Sequence, residues 1–224
     1  MKMITLDRVT KTFNQGKPNQ FDAIRGVDLC ILPHQVTVLT GPSGSGKTTL
    51  MSMIGCLSRP TSGRVSLDDE QLSGLPERFM TEIRRKTFGF IFQQFNLIKG
   101  LTVLENVMLP AYPLGPNLHQ LKSNARQLLD QFGLGNKEHS KIEWLSGGEA
   151  QRTAICRALI NDPEILIADE PTANLDSKLS ADFMLIISEL KAAGKTILLT
   201  SHDPLVYESE VVDKVVAMRD GLIV

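Results

Sequence analysis

The eight residues GPSGSGKT, Gly41 to Thr48, constrain this chain more than any other feature. They follow an apolar, β-branched run, Val36 to Thr40, and open a helical stretch, Lys47 to Leu57. A strand that enters a glycine-rich loop and leaves as a helix is the setting in which a phosphate-binding loop, or P-loop, works. Gly41, Gly44 and Gly46 leave the backbone bare and permissive. Successive N–H groups can then curl around phosphate oxygens where the helix N-terminus adds its positive end. Lys47 is expected to reach the β- and γ-phosphates of a nucleotide, and the Thr48 hydroxyl to bind Mg²⁺. The expected nucleotide contacts along this segment are Gly41, Pro42, Ser43, Gly44, Ser45, Gly46, Lys47, Thr48 and Thr49.

A second motif narrows the chemistry. In ILIADEP, Ile165 to Pro171, an apolar strand delivers Asp169 and Glu170 at its C-terminal end, where open α/β sheets place their ligands. Asp169 is expected to hold Mg²⁺ directly or through water, and Glu170 to polarise a water attacking the γ-phosphate. That displacement is nearly all positioning and charge neutralisation, so one carboxylate at the metal and one on the water suffice.

Short β-branched runs recur at Ile4 to Val9, Val27 to Leu32, Arg64 to Leu67, Phe88 to Phe92, Thr196 to Thr200 and Val211 to Met218. Val36 to Thr40, Ile165 to Ala168 and Thr196 to Thr200 carry few charges, as strands covered on both faces do. Helical patterns separate them, which predicts an α/β fold centred on a parallel sheet. The first two strands, the segment around Val65 and a terminal hairpin turning at Asp220-Gly221 read as an antiparallel flank. From about Glu105 to Asn161 the pattern is helical, with Leu118, Leu121, Ala125, Leu128, Leu129 and Phe132 at spacings near three and four. Pro110, Pro113 and Pro116 with Gly115 break the chain, so that helix is expected to start near Asn117. The chain reads as one unit, with a core and flank over about 1–92 and 162–224 and a helical subdomain over about 95–161.

Bulk properties exclude several classes. A net charge of −1 and a pI near 6.4 exert no general pull on phosphate backbones, so nucleic acid is not an expected partner. Cys30, Cys56 and Cys156 lie far apart among Leu, Ile and Ala and read as buried free thiols of a reducing compartment. The opening MKMITLDRV meets an acid at Asp7 before an apolar stretch of signal-peptide length can form. No window reaches the ~18 uninterrupted apolar residues of a spanning helix, so any membrane span is expected in another chain.

LSGGEAQR, Leu145 to Arg152, is a feature no generic P-loop protein needs, and it resembles the signature of ABC (ATP-binding cassette) ATPases. Ser146, Gly147 and Gly148 precede a helix with Ala150, Ala154, Ile155, Ala158 and Leu159 on its apolar positions. They supply a second phosphate-binding helix N-terminus, and two such ends on one chain suggest two copies facing head to tail. The resemblance covers almost the entire chain and implies ATP and Mg²⁺ as ligands. It implies that Gln93 senses Mg²⁺ and the attacking water, and that His202 contacts the γ-phosphate. Asn174 to Asp176 matches the loop that crosses to the partner copy, although Asp176 reads equally well as a helix N-cap. Phe13 stands where the family has a Tyr stacking on adenine, and it also reads as a core residue. Glu149 in place of Gln, and Trp144 before the signature, depart from the family pattern.

FQQFNLI, LTVLENVMLP and IGCLSRPTSG resemble the LolD and MacB branch, whose small ATPases work with a membrane subunit in lipoprotein release or efflux. FtsE-like ATPases share much of this wording. The resemblance implies a homodimer, and a membrane permease docking near Gln93–Met108, on the cytoplasmic side of the cell membrane. The apolar row Phe95, Leu97, Ile98, Leu101, Val103 and Leu104 reads either as that docking surface or as core. With the chain ending at Val224, no regulatory C-terminal domain is expected. The alternatives are an ABC ATPase without a membrane partner, or a nucleotide-gated module that barely hydrolyses; Glu170 argues against the second.

Overall fold

The computed structural model describes residues 2–173 and 175–224. Among these residues two sheets form. The larger has the order β10-β9-β3-β8-β7-β6, from β3 (Val36–Thr40), β6 (Phe88–Ile91), β7 (Ile165–Asp169), β8 (Thr196–Thr200), β9 (Lys214–Arg219) and β10 (Leu222–Ile223). Neighbours from β9 to β6 run parallel, and only β10 is antiparallel. The smaller sheet is antiparallel, of order β2-β1-β4-β5, from β1 (Ile4–Phe13), β2 (Phe21–Ile31), β4 (Ser62–Leu67) and β5 (Glu70–Gln71).

The two-residue period of the parallel strands divides their side chains between two cores. Leu39, Ile165, Ile167 and Leu198 point to one face, where Leu50, Met53 and Ile54 of α1 (Lys47–Ile54) pack them against Ile4, Ile24 and Val65 of the antiparallel sheet. Val36, Val38, Leu166, Ala168, Ile197 and Leu199 point to the other. That face is covered by α3 (Val103–Met108), α4 (Leu118–Gln131), α5 (Gly147–Leu159) and α6 (Ser177–Ala192). Burial on both faces is why these strands read as unbroken apolar runs.

Two readings need correction. The terminal hairpin β9–β10 is the edge of the parallel sheet and not part of the antiparallel flank, because Thr37 to Thr40 of β3 pair in register with Lys214 to Ala217. Helix α2 (Glu77–Thr87) is absent from the sequence reading. It is short and strongly charged, ERFMTEIRRKT, with Met80 and Ile83 as its core contacts. Between Val103 and Leu159 the regular elements are helical. Pro110 and Pro113 shorten the hydrogen bonding to a 3₁₀ turn, Leu109–Leu114, and Asn117 then caps α4 by accepting from the N–H groups of His119 and Gln120 at 3.0 and 3.2 Å. Val103 and Leu104 of the apolar row are core, whereas Ile98 is exposed. Among the described residues, no helix is long and apolar enough to cross a membrane.

Candidate functional site

The loop 41–49 leaves β3 at its C-terminal end and enters α1, lining a cavity of about 730 Å³. No side chain caps the first turn of α1 and no acid lies in it, so its free N–H groups and positive dipole end are available to an anion. Gly41 has φ 137°, and a Cβ there would lie 2.1 Å from the carbonyl oxygen of Met218 in β9. Only glycine lets the loop pass that close. The hairpin also holds the loop directly, since the Gly221 N–H donates to Ser45 O at 3.1 Å and the Arg25 N–H to Gly221 O at 2.9 Å.

Lys47 is buried at 7% exposure, and its Nζ donates to the carbonyls of Gly41 and Pro42 at 2.8 and 3.2 Å. It also lies 3.8 Å from Glu170 Oε1. The other carboxylate oxygen of Glu170 is 2.9 Å from His202 Nδ1. Glu170 has φ 45°, a left-handed backbone that a side-chain-bearing residue adopts only where its surroundings impose it. Its N–H donates to Thr200 Oγ1 at 2.7 Å, and that hydroxyl donates to Asp169 Oδ1 at 2.6 Å. Gln93, Glu170 and His202 line the same cavity as Lys47 and Thr48. Asp169 stands beside it, tied through Thr200.

The residues present fit a nucleotide phosphate with its ion. Ser45 Oγ is buried without a hydrogen-bond partner among the described residues, within the loop that enters α1. The expected ion ligands, Thr48, Gln93 and Asp169, are a hydroxyl, an amide and one carboxylate, a set suited to an ion that keeps waters and shares phosphate oxygens. At the far end of the cavity Phe13 stacks on Phe21 with centroids 5.3 Å apart and planes 23° apart. Lys11 Nζ lies 5.3 Å from the Phe13 centroid. Phe13 is exposed, which removes it from the core and places it at the rim of the cavity.

The remaining candidates are elsewhere. Ser146 caps α5 in a capping box, its Oγ accepting from the Glu149 N–H at 3.3 Å and its N–H donating to Glu149 Oε2 at 2.8 Å. Glu149 thus serves the cap. Hydrogen bonds from Ser146 and Lys137 hold its carboxyl below the usual range. Asp176 caps α6, accepting from the Leu179 N–H at 2.9 Å. Gly147 and Gly148 pack beside Leu175 and Leu179, so the signature and the start of α6 form one patch. None of Ser146, Gly147, Gly148 or Asp176 lines the cavity. Asn174 lies outside the described residues.

A model of the ABC transporter family matches residues 24–173. The chain belongs to that family. It is 42% identical over 222 residues to the macrolide export ATP-binding/permease protein MacB of Hyphomonas neptunium, covering 99% of this chain and 34% of that protein. The chain thus spans about a third of the length of that relative. An uncharacterized ABC transporter ATP-binding protein of Thermotoga maritima is 40% identical, with 99% of this chain and 94% of that protein covered. Among solved structures, the dimeric MJ0796, a bacterial ABC transporter cassette, superposes with a TM-score of 0.89 at 38% identity, covering 98% of this chain and 96% of that one. The same MJ0796 cassette is also known as a post-hydrolysis dimer bound to ADP and Pi. This cassette is an ABC ATPase domain, with ATP as its nucleotide and Mg²⁺ as the usual ion.

Three features of the cassette's site were not legible from motifs. Thr200, Phe21 and the turn at Asp220-Gly221 all touch it. Thr200 had a signal, a hydroxyl at the end of an apolar strand two residues before His202. Phe21 is the cross-strand partner of Phe13 and becomes visible only with the β1–β2 register.

Proposed function

We propose that this cassette hydrolyses ATP in sites shared by two copies arranged head to tail, and that the closing and opening of the pair drives a separate membrane subunit. The observation that carries this reading is the division of the motifs. Lys47, Thr48, Gln93, Glu170 and His202 share one cavity, while Ser146 to Gly148, at the start of a second helix, lie outside it. One chain offers half a site twice. A two-fold pairing would let each α5 N-terminus serve the γ-phosphate held by the other copy.

Within that site Lys47 and the loop N–H groups take the β- and γ-phosphates, and Phe13 stacks on the base. Thr48, Gln93 and Asp169 hold Mg²⁺, which supplies charge neutralisation at the phosphates. Glu170 takes the proton of the attacking water, oriented by Lys47 on one oxygen and His202 on the other. His202 also reaches the γ-phosphate, and Thr200 fixes the two acids relative to one another. Ser146, Gly147, Gly148 and Asp176 act in trans. The core with its flank, about 1–92 and 162–224, and the helical part, about 95–161, work as two subdomains. The exposed part of the segment Gln93–Met108, Ile98 above all, receives a membrane permease at the inner face of the cell membrane. Kinship with the MacB cassette, a macrolide exporter, supports efflux as the task, with lipoprotein release as the other task of that branch.

The test mixes Lys47→Ala chains with Ser146→Arg chains. Each variant alone breaks both sites of its dimer, whereas the heterodimer keeps one intact composite site. ATP binding and dimer closure recovered at one site per heterodimer support the reading. Ser146→Arg dimers that close normally on ATP would sink it.

A further inference from the structure

Arg157 lies in α5, eleven residues beyond Ser146, and is only 9% exposed. Its Nη1 donates to Asn96 O at 2.6 Å, and its Nη2 donates to Phe95 O. Among the described residues no carboxylate lies within ion-pair distance of it, so backbone carbonyls satisfy this buried cation. A buried charge is unfavourable unless such bonds are made, so the fork is a specific feature of the loop it holds.

The two carbonyls belong to consecutive left-handed residues, Phe95 at φ 57° and Asn96 at φ 49°. Neither is glycine, and such backbone persists only when its surroundings over-determine it. The turn begins at Phe92, whose carbonyl accepts from the Phe95 N–H at 2.8 Å, while Gln94 O accepts from the Asn96 N–H at 2.6 Å. Gln93 sits inside that turn. Upstream it is tied to the parallel sheet, because Phe88 to Ile91 pair with Ile165 to Ala168. Downstream the chain is tied to helices. Beyond the Arg157 fork, the fully buried Asn106 of α3 accepts from the Ile98 N–H at 2.7 Å and donates to the carbonyls of Ile98 and Thr102, each at 3.1 Å.

We infer that Arg157 is a positioning residue for Gln93, fastening the turn that carries Gln93 into the nucleotide cavity to the helix whose other end bears the signature. At ~1.5 Å per residue, α5 spans about 16 Å between Ser146 and Arg157, a rigid rod with one end at the partner's site and one at its own chain's Gln93. A displacement of Ser146 on dimer closure is then delivered to Gln93 by the same helix. Lysine cannot replace this, since its single ammonium lacks the planar fork that meets two adjacent carbonyls. The inference rests on the role proposed above for Gln93.

The experiment uses the full chain with Arg157→Lys, Arg157→Gln, Gln93→Ala and the double variant Gln93→Ala/Arg157→Lys. ATP affinity, steady-state phosphate release with Mg²⁺ and amide exchange over 92–98 are measured on each, with circular dichroism as the control for folding. Arg157→Lys is expected to keep ATP affinity within about twofold, lower kcat at least tenfold and speed exchange over 92–98. The double variant should turn over no more slowly than the slower single variant, because both changes remove the same thing. Wild-type kcat in Arg157→Lys, or multiplicative losses in the double variant, would overturn the inference alone. Loss of folding in both Arg157 variants would do the same, by making the role purely structural. Normal turnover in Gln93→Ala would instead overturn the functional reading of Gln93 and this inference with it.

Discussion

The hydroxyl of Thr200 donates a 2.6 Å hydrogen bond to Oδ1 of Asp169 while accepting, at 2.7 Å, the N–H of the next residue, Glu170. One atom at the end of β8 therefore sets the relative placement of the two acids at the end of β7. Thr200→Val keeps the shape and removes both bonds. Leaving the Glu170 N–H without its partner should destabilise the chain by about 1–3 kcal/mol. It should also lower kcat more than ATP affinity, since Lys47 and the loop are untouched. Thermal unfolding and turnover measured side by side check this; a variant with normal kcat would remove Thr200 from the site.

Glu170→Gln preserves volume and loses the base. ATP binding should persist, turnover should fall by about 10²–10⁴-fold, and an ATP-bound dimer should accumulate. Size-exclusion chromatography with ATP reads the dimer, and near-normal hydrolysis would take Glu170 out of the catalytic role.

Lys47→Ala should act on affinity instead. Charge-assisted bonds to phosphate contribute about 1.5–3 kcal/mol, so ATP affinity should fall by roughly 10- to 100-fold. Calorimetric titration measures it. Dimer closure at ordinary ATP levels would show the assignment of this lysine to be wrong.

Gly221 tests the hairpin correction. It has φ 79°, and a Cβ there would lie 2.7 Å from Ala23 O. Gly221→Val forces a left-handed valine and pushes the turn away from the loop it holds through Ser45. The backbone strain should lower stability by about 1–2 kcal/mol, and ATP affinity should fall as the displaced turn releases the loop. An unchanged affinity would mean that the hairpin does not shape the site.

The three cysteines give a prediction independent of nucleotide. Cys30 is half-buried, contrary to its reading as a buried thiol, while Cys56 and Cys156 are buried. Burial pushes the Cys56 thiol up to about 11 and the Cys156 thiol up to about 12. Maleimide labelling of the native chain at pH 8 should modify Cys30 alone, with the other two reacting only on unfolding. The linkage has a definite sign. From pH 9.0, the ordinary thiol value, up to about 11, the unfolded chain sheds these protons and the folded chain retains them, so stability should fall as pH rises. Labelling of Cys156 in the native chain would contradict the burial on which this rests.

The motifs alone determined the local chemistry of this protein. A glycine loop between an apolar strand and a helix, and two acids at the end of another strand, depend on backbone geometry within a few residues, which the sequence writes directly. Asn117 as the start of α4 was legible for the same reason, because capping is a contact between near neighbours. What the tertiary structure alone decided was every relationship across the chain. The terminal hairpin reads as an antiparallel flank because a turn at Asp220-Gly221 reveals how β10 meets β9 and nothing of β3, over a hundred and seventy residues away, to which β9 belongs. The dual bond of Thr200, the pairing of Phe13 with Phe21 and the fork of Arg157 on Phe95 and Asn96 arise from strand register and helix packing. Those are settled by the burial of whole faces, Leu39 and Ile167 to one side and Val38 and Leu166 to the other, and no short stretch of sequence contains that information.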